Sequence, residues 1–240
     1  VIICPEDNIP AVKSLSAVMG LHLFEDIEKL YSYSISMGVV VFPKELKQAE
    51  EFTEYLCDRY LPDAVISVEA PGCNSCGVYH NAVGLDVTKL EAKTDILFSR
   101  LKEKGVLNIA IGDLGNETGM GTIKQYVQKY VPYAADGSCS CGCGGGIVSE
   151  VSADNIAALA YIRKDMDILQ DENLQREAII TASRSGMIDM TGWVVPAVDG
   201  VDCETNVHIL SLMRDMVKNT IKYENTGDNW YSGVDRLGFF

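Results

Sequence analysis

Short apolar runs alternate with longer stretches of helical periodicity along this chain. Val1–Cys4 (VIIC) reads as a strand, and Ile9–Met19 as a helix with Asn8 as its cap and Pro10 in its first turn. Gly38–Phe42 (GVVVF) has the continuous apolar character of a buried strand, and Lys44–Leu61 carries apolar residues at helical spacing. Asp63–Ala70 predicts a strand, Thr88–Lys104 a helix with Gly105 just beyond its end, and Val106–Ile111 another strand. A helix follows over Thr122–Val131, then a strand over Gly146–Ser152 and a helix over Asn155–Met166. Glu172–Ser185 predicts a helix stopped by Gly186, and Glu204–Tyr223 a long amphipathic one.

Strands separated by helices imply βαβ units, so the expected fold class is α/β, a mainly parallel sheet with helices on both faces. One domain is expected over 1–223, with a polar, glycine-rich tail over 224–240. In open sheets of this kind ligands collect beyond the carboxyl ends of the strands. Three segments end a strand in polar chemistry: VEAPGCNSCGVYHNAVGLD after Ile66, GDLGNETGMG after Ile111, and SADN after Val151. Parallel strands would bring all three to one rim, which makes that rim the candidate site.

Composition narrows the partners. The 240 residues are 47% hydrophobic and 22% charged, with no apolar run approaching the length of a membrane span. Lys and Arg number 20 against 34 Asp and Glu, a formal charge of −14. Such a surface repels phosphate backbones and anionic bilayers, so the expected partner is a small molecule, not nucleic acid or membrane. No basic segment precedes an apolar one in the manner of a secretion signal, and a cytoplasmic protein is expected. The chain starts at Val1, without Met and already in an apolar run, which suggests further sequence upstream.

The loop after Ile111 raises the chemical question. Four glycines are spread through GDLGNETGMG, with Asp113, Asn116 and Glu117 between them. A phosphate-binding Walker loop needs a Lys after its glycines, and GMGTIK fails the dinucleotide fingerprint at its third glycine. The acids and the Asn supply hard oxygens suited to Mg²⁺ or Mn²⁺. The amides from Gly119 to Gly121, at the start of the next helix, offer a carboxylate site instead, and a capped turn needs neither ligand. The earlier loop adds Glu69 at the end of an apolar strand, then Gly72, Tyr79, His80, Asn81 and Asp86.

Eight cysteines are numerous for such a chain. Cys73 and Cys76 have common ligand spacing, whereas Cys139, Cys141 and Cys143 are set more tightly than ordinary ligand turns. A thiol site for Zn or an Fe–S cluster is one reading of the two groups, and reduced loop cysteines the other.

At this point the residues resemble a known family. IGDLGNETGMG is similar to the GDGGNEIGMG signature of the D-glutamate cyclase family. In the same order, VEAPGCNSCGVYHNAVGLDV resembles that family's IERPGRAADGRYYNMRGVDI, IVSEVSADN its IACVVPADH, and SGMIDMTGWVVPAVDG its AGAVDGVTG and VDG stretch. Leu114 stands where the family has glycine, and Ala70 where an Arg commonly follows the Glu.

The resemblance implies a hydro-lyase that interconverts D-glutamate and 5-oxo-D-proline. Such a reaction needs a base for the amine, charge neutralisation at a carboxylate, and an acid for the leaving oxygen. Asp113, Glu117, Glu69, Tyr79 and His80 are the expected catalytic residues. Asn116, Gly119, Gly121, Asn81 and Gly72 are expected around the substrate, an amino acid or lactam. Asp113, Glu117, Glu69 and Asp154 are the expected ligands of a divalent cation, Mg or Mn. A metal-dependent hydrolase or phosphatase would use the same acids, and a thiol-metal protein on this scaffold would use the cysteines instead. Self-association into a homo-oligomer stays open.

Overall fold

The computed structural model describes residues 1–30, 32–33, 36–131, 149, 151, 155–156 and 169–226, with side chains to 219 in the last helix and none at 155–156. The chain divides into two compact units: Val1–Asn8 with Val39–Leu159, and Ile9–Gly38 with Ala160–Phe240.

In the first unit β1 (Ile2–Cys4) pairs in parallel with Val39–Val41, the second half of β3 (Ser36–Val41). Its partner run continues into Phe42, whose N–H donates to the Cys4 carbonyl at 2.9 Å and whose ring meets Phe52 on α3 (Leu46–Arg59). The helix starts where Glu45 caps it, the carboxylate accepting from Gln48 N–H at 2.9 Å. Next come β4 (Ala64–Val68), α4 (Thr94–Glu103) and β5 (Leu107–Ile111), with α3 packed on α4. A 3-10 turn over Gly121–Ile123 leads into α5 (Lys124–Tyr130), and β6 is Asn155–Ile156. The order β4-β5-β6 is parallel throughout, with Val68 opposite Ile111 and Ala110 opposite Ile156.

The parallel register places the carboxyl ends of β4 and β5 side by side, so the loops beginning at Glu69 and Gly112 leave the sheet together. Beneath them Phe98 from α4 and Ala110 from β5 are buried, with Val65 and Val151 packed against them. The other unit contains α1 (Ile9–Val18), β2 (His22–Phe24), α2 (Ile27–Leu30), α6 (Glu172–Arg184), the hairpin strands β7 (Ala197–Val198) and β8 (Val201–Asp202), and α7 (Cys203–Thr226). There β2 pairs in parallel with Ser36–Gly38 of β3, and α6 packs on α1 and, around Ile179, Cys203 and Val207, on α7.

The α/β class and the parallel strands are as the periodicity predicts. The differences lie at element ends. Helix α4 begins at Thr94, not Thr88, because the Lys93 ammonium turns back and donates to the carbonyls of Thr88 and Glu91. Asn155 and Ile156 are strand where a helix was expected to start, since Ile109 and Ala110 offer them a paired edge. Residues 157–168, and 146–148, 150 and 152 of the strand expected at Gly146–Ser152, lie outside the described residues. So do residues 227–240, whereas 224–226, expected as tail, continue α7.

Phe98 fills the space under the site, so Phe98→Ala is expected to cost about 3–4 kcal/mol through lost burial and a cavity. A urea midpoint shift with unchanged slope would check it; a loss below ~1 kcal/mol would mean that the core collapses around the gap.

Candidate active site

Glu117 organises the second loop. Its carboxylate, buried at 3% exposure, accepts from the N–H groups of Asp113 (3.4 Å), Leu114 (3.2 Å) and Gly115 (2.7 Å). Successive amides turned to one point form an anion nest. Here it is filled by the chain's own side chain. Two glycines make this possible. Gly115 has φ 101 and no room for a Cβ, which would meet Val127 Cγ1 at 2.2 Å. A Cβ at Gly112 would stand 2.8 Å from Glu117 Cβ and Cγ.

The first loop is laced to the second. Gly72 N–H donates to Asn116 O at 2.9 Å and Thr118 N–H to Ala70 O at 2.8 Å, flanking a Pro71–Glu117 bridge. Asn116 Nδ2 donates to His80 O at 3.0 Å. The third segment reaches the same place, with Ser149 N–H on Gly115 O and Gly121 N–H on Val151 O. Gly72 is a packing position, since a Cβ there would lie 2.3 Å from Ser149 Oγ.

These contacts gather Glu69, Asp113 and Glu117, each of which brings one carboxylate oxygen to within 4.8 Å of the others. Glu69 sits just past β4 with φ 50, a left-handed backbone that a non-glycine residue adopts at a cost. Partial burial, then the hydrogen bond to Glu117 and its negative charge, push the Asp113 carboxyl above the ordinary carboxylate range. Three acids this close call for a proton or a cation between them, and their hard oxygens fit Mg²⁺ or Mn²⁺. Asp154, expected as a fourth ligand, lies outside the described residues.

Other expected residues stand apart from that cluster. Tyr79 is buried, its hydroxyl donating to Asp95 Oδ1 at 2.8 Å and its ring lying 4.2 Å from the Lys93 ammonium. Burial and the Asp95 charge raise its phenol far above the usual value, so it holds its proton. Asn81 Oδ1 accepts from Val83 and Leu85 N–H, a turn-forming role. Gly121 N–H is engaged by Val151, and the next two amides by Gly119 O and Met120 O. His80 is 1% exposed, and burial lowers its pKa. Neither of its ring nitrogens, nor Asn116 Oδ1, has a hydrogen-bond partner among the described residues.

Asp95 and Lys93 were not singled out by sequence, because both fell inside the helix predicted over Thr88–Lys104. The Thr-Asp pair directly after Lys93 is the first-turn signal that would have marked the true start. Asp95 Oδ2 also accepts from Cys73 N–H at 3.2 Å. Burial and that carboxylate push the Cys73 thiol up to about 12, so it stays protonated at neutral pH. Cys76 is exposed, and Cys139, Cys141 and Cys143 lie outside the described residues.

A parallel sheet whose strand-end loops collect carboxylates over a self-filled nest defines an α/β protein with an acidic site at its carboxyl edge. The family described as D-glutamate cyclase-like, C-terminal, matches residues 1–214, and the chain belongs to it. Among individual proteins it is similar to human "D-glutamate cyclase, mitochondrial", 29% identical over 151 residues, which cover 58% of this chain and 24% of that relative. The family resemblance carried by the glycine-rich loop is thus borne out. Among the described residues no helix is long and apolar enough to cross a membrane.

A carboxyl whose folded-state pKa exceeds its unfolded value destabilises the fold above that pKa, and the penalty disappears as pH falls toward the unfolded value. Asp113→Asn is therefore expected to stabilise the fold at pH 7 in EDTA, by about 0.5 kcal/mol or less because the residue is exposed, read as a higher melting temperature. The gain should close as the pH approaches about 4. A loss at pH 7, or a gain that persists at pH 4, would contradict the Asp113–Glu117 repulsion.

Proposed function

We propose that this chain interconverts D-glutamate and 5-oxo-D-proline as a hydro-lyase, at the acidic cluster where the β4 and β5 loops meet. The observation that carries the reading is the convergence of Glu69, Asp113 and Glu117 within 4.8 Å, in a member of the D-glutamate cyclase-like family. The human relative's name supports the substrate class and leaves the reaction of this chain to be measured.

Cyclisation joins the amine nitrogen to the side-chain carboxyl carbon and expels one oxygen as water. An ammonium with three protons becomes an amide with one, so two protons travel from nitrogen to the departing oxygen. Catalysis is therefore largely a matter of carrying protons over a short path. Glu117 is tied to three amides, which fixes it as an oriented anion toward the substrate amine. Asp113 is exposed and lies against Glu117, so it takes the proton from nitrogen and returns it to oxygen. Glu69 closes the third side. Tyr79, locked onto Asp95, positions the loop that carries His80 and does not move protons itself.

The substrate is an anion approaching three acids on a chain of charge −14, so a positive charge is needed between them. Glu69, Asp113 and Glu117 would hold a divalent cation, Mg or Mn, which when bound polarises the carboxyl under attack. In their orientation the residues of the chain supply the proton path.

The test is incubation of purified protein with D-glutamate and, separately, with 5-oxo-D-proline, in Mn²⁺ or EDTA, read by chiral chromatography. Both directions should approach one ratio, and EDTA should suppress the rate until Mn²⁺ or Mg²⁺ is restored. Asp113→Asn is expected to lower kcat by about 10²–10⁴-fold, and Glu117→Gln to abolish turnover. Folded variants with normal turnover would overturn the assignment, and so would a parent protein inert in both directions.

A further inference from the structure

Helix α7 is apolar on two opposite faces. Cys203, Val207, Leu210 and Val217 are buried, the first two in the cluster with Ile179 of α6. Ile209, Leu212 and Met216 form a second stripe, exposed at 49%, 67% and 66%. With Thr205 before them, these positions run in steps of four, three and four, the spacing of a coiled-coil seam. A helix apolar on both sides buries both, and this second stripe lies two residues, or about 200°, from the first.

The charges near the seam indicate what it meets. Those nearer α6 are already spent within the unit, Glu204 on Arg176 and Arg214 on Glu172 at 2.6 Å. On the outer side His208 and Asp215 flank the stripe, seven positions apart and both exposed. In an antiparallel pair of identical helices, the positions just before Ile209 and Met216, which lead each three-residue step of the seam, face their counterparts in the other copy. If Ile209 packs against Leu212 of the second copy, His208 falls opposite Asp215 of that copy, and the same contact repeats across the two-fold axis. Shifting the register by one heptad sets Asp215 against itself. The helix is thus complementary to its own copy in one antiparallel register and repulsive in the next.

We propose that α7 pairs antiparallel with α7 of a second copy of this chain, Ile209 against Leu212 in two symmetric layers, with an imidazole–carboxylate pair between His208 and Asp215 at each end. The β7–β8 hairpin runs directly into α7 and leaves Val198 and Val201 exposed, which extends the surface at the start of the helix. The occupant is a second copy rather than a basic or apolar protein because the seam sets an imidazole opposite a carboxylate in self-matching order.

Sedimentation velocity over a concentration series of the 240-residue chain tests this directly. The parent should dimerise and Leu212→Glu should be monomeric, with far-UV circular dichroism unchanged because residue 212 is already exposed. His208→Glu should weaken the dimer about tenfold or more, since the change acts twice across the axis. His208→Glu combined with Asp215→Lys should restore it. A parent that stays monomeric at every concentration overturns the proposal, whether the stripe is then covered by another protein or by nothing. Dimerisation of Leu212→Glu equal to the parent, or a double variant no stronger than His208→Glu, overturns it as well.

Discussion

Three amide N–H groups close on the Glu117 carboxylate, and the rest of the acidic site depends on that closure. An anion nest in a strand-to-helix loop is usually a place to receive a phosphate or a substrate carboxylate. Here the loop answers its own positive end with a side chain four residues on. The glycines look like those of a phosphate loop because the backbone makes the same turn. What differs is the occupant. Once Glu117 fills the nest, Asp113 stands next to a fixed negative charge, and Glu69 arrives from the neighbouring strand to complete an acid cluster.

The second requirement is that two loops from different strands hold a common geometry. Parallel pairing of β4 with β5 brings them to the same edge. A short backbone ladder from 70–72 to 116–118 then prevents either from moving alone, and the Asn116 amide ties in His80. Behind the first loop, Asp95 receives both the Tyr79 hydroxyl and the Cys73 amide while Lys93 lies over the phenol ring. Burying a Lys and an Asp is costly unless their hydrogen bonds are met, which they are here by carbonyls, a hydroxyl and an amide. The site is therefore divided between two layers, with Glu69 and Asp113 exposed outside and Glu117 and the Asp95 network buried inside.

The sequence pattern made the strands, most helices and the two strand-end loops legible, because apolar periodicity and loop polarity are local properties. Glu69 stood out as a charge at the end of an apolar run, and Asp113 and Glu117 as acids set among the glycines of the next loop. What stayed hidden is set at a distance. Of the amides from Gly119 to Gly121 that sequence offered to a carboxylate, the Gly121 N–H is engaged by the Val151 carbonyl. The hydrogen bond from Tyr79 to Asp95, sixteen residues on, has no local signal in the sequence. The His22–Phe24 strand is too short to show a period and exists because β3 offers it an edge. The β7–β8 hairpin turns at Asp199 and Gly200, with φ 54 and 75, a two-residue signal that was masked by the apolar run around it.

Glu69 bears on how this protein responds to selection for robustness. Its φ of 50 is one that glycine or asparagine would adopt more cheaply. Replacing it by either residue relieves backbone strain and removes one of three crowded acids, so both effects point toward a firmer fold. Heat-challenge screening or consensus design for rigidity would therefore favour changes at the very position that contributes an acid to the cluster. Thermal hardness and the acid cluster pull in opposite directions at residue 69, and a library sorted only on survival would accumulate well-folded proteins with one acid fewer at the carboxyl edge of the sheet.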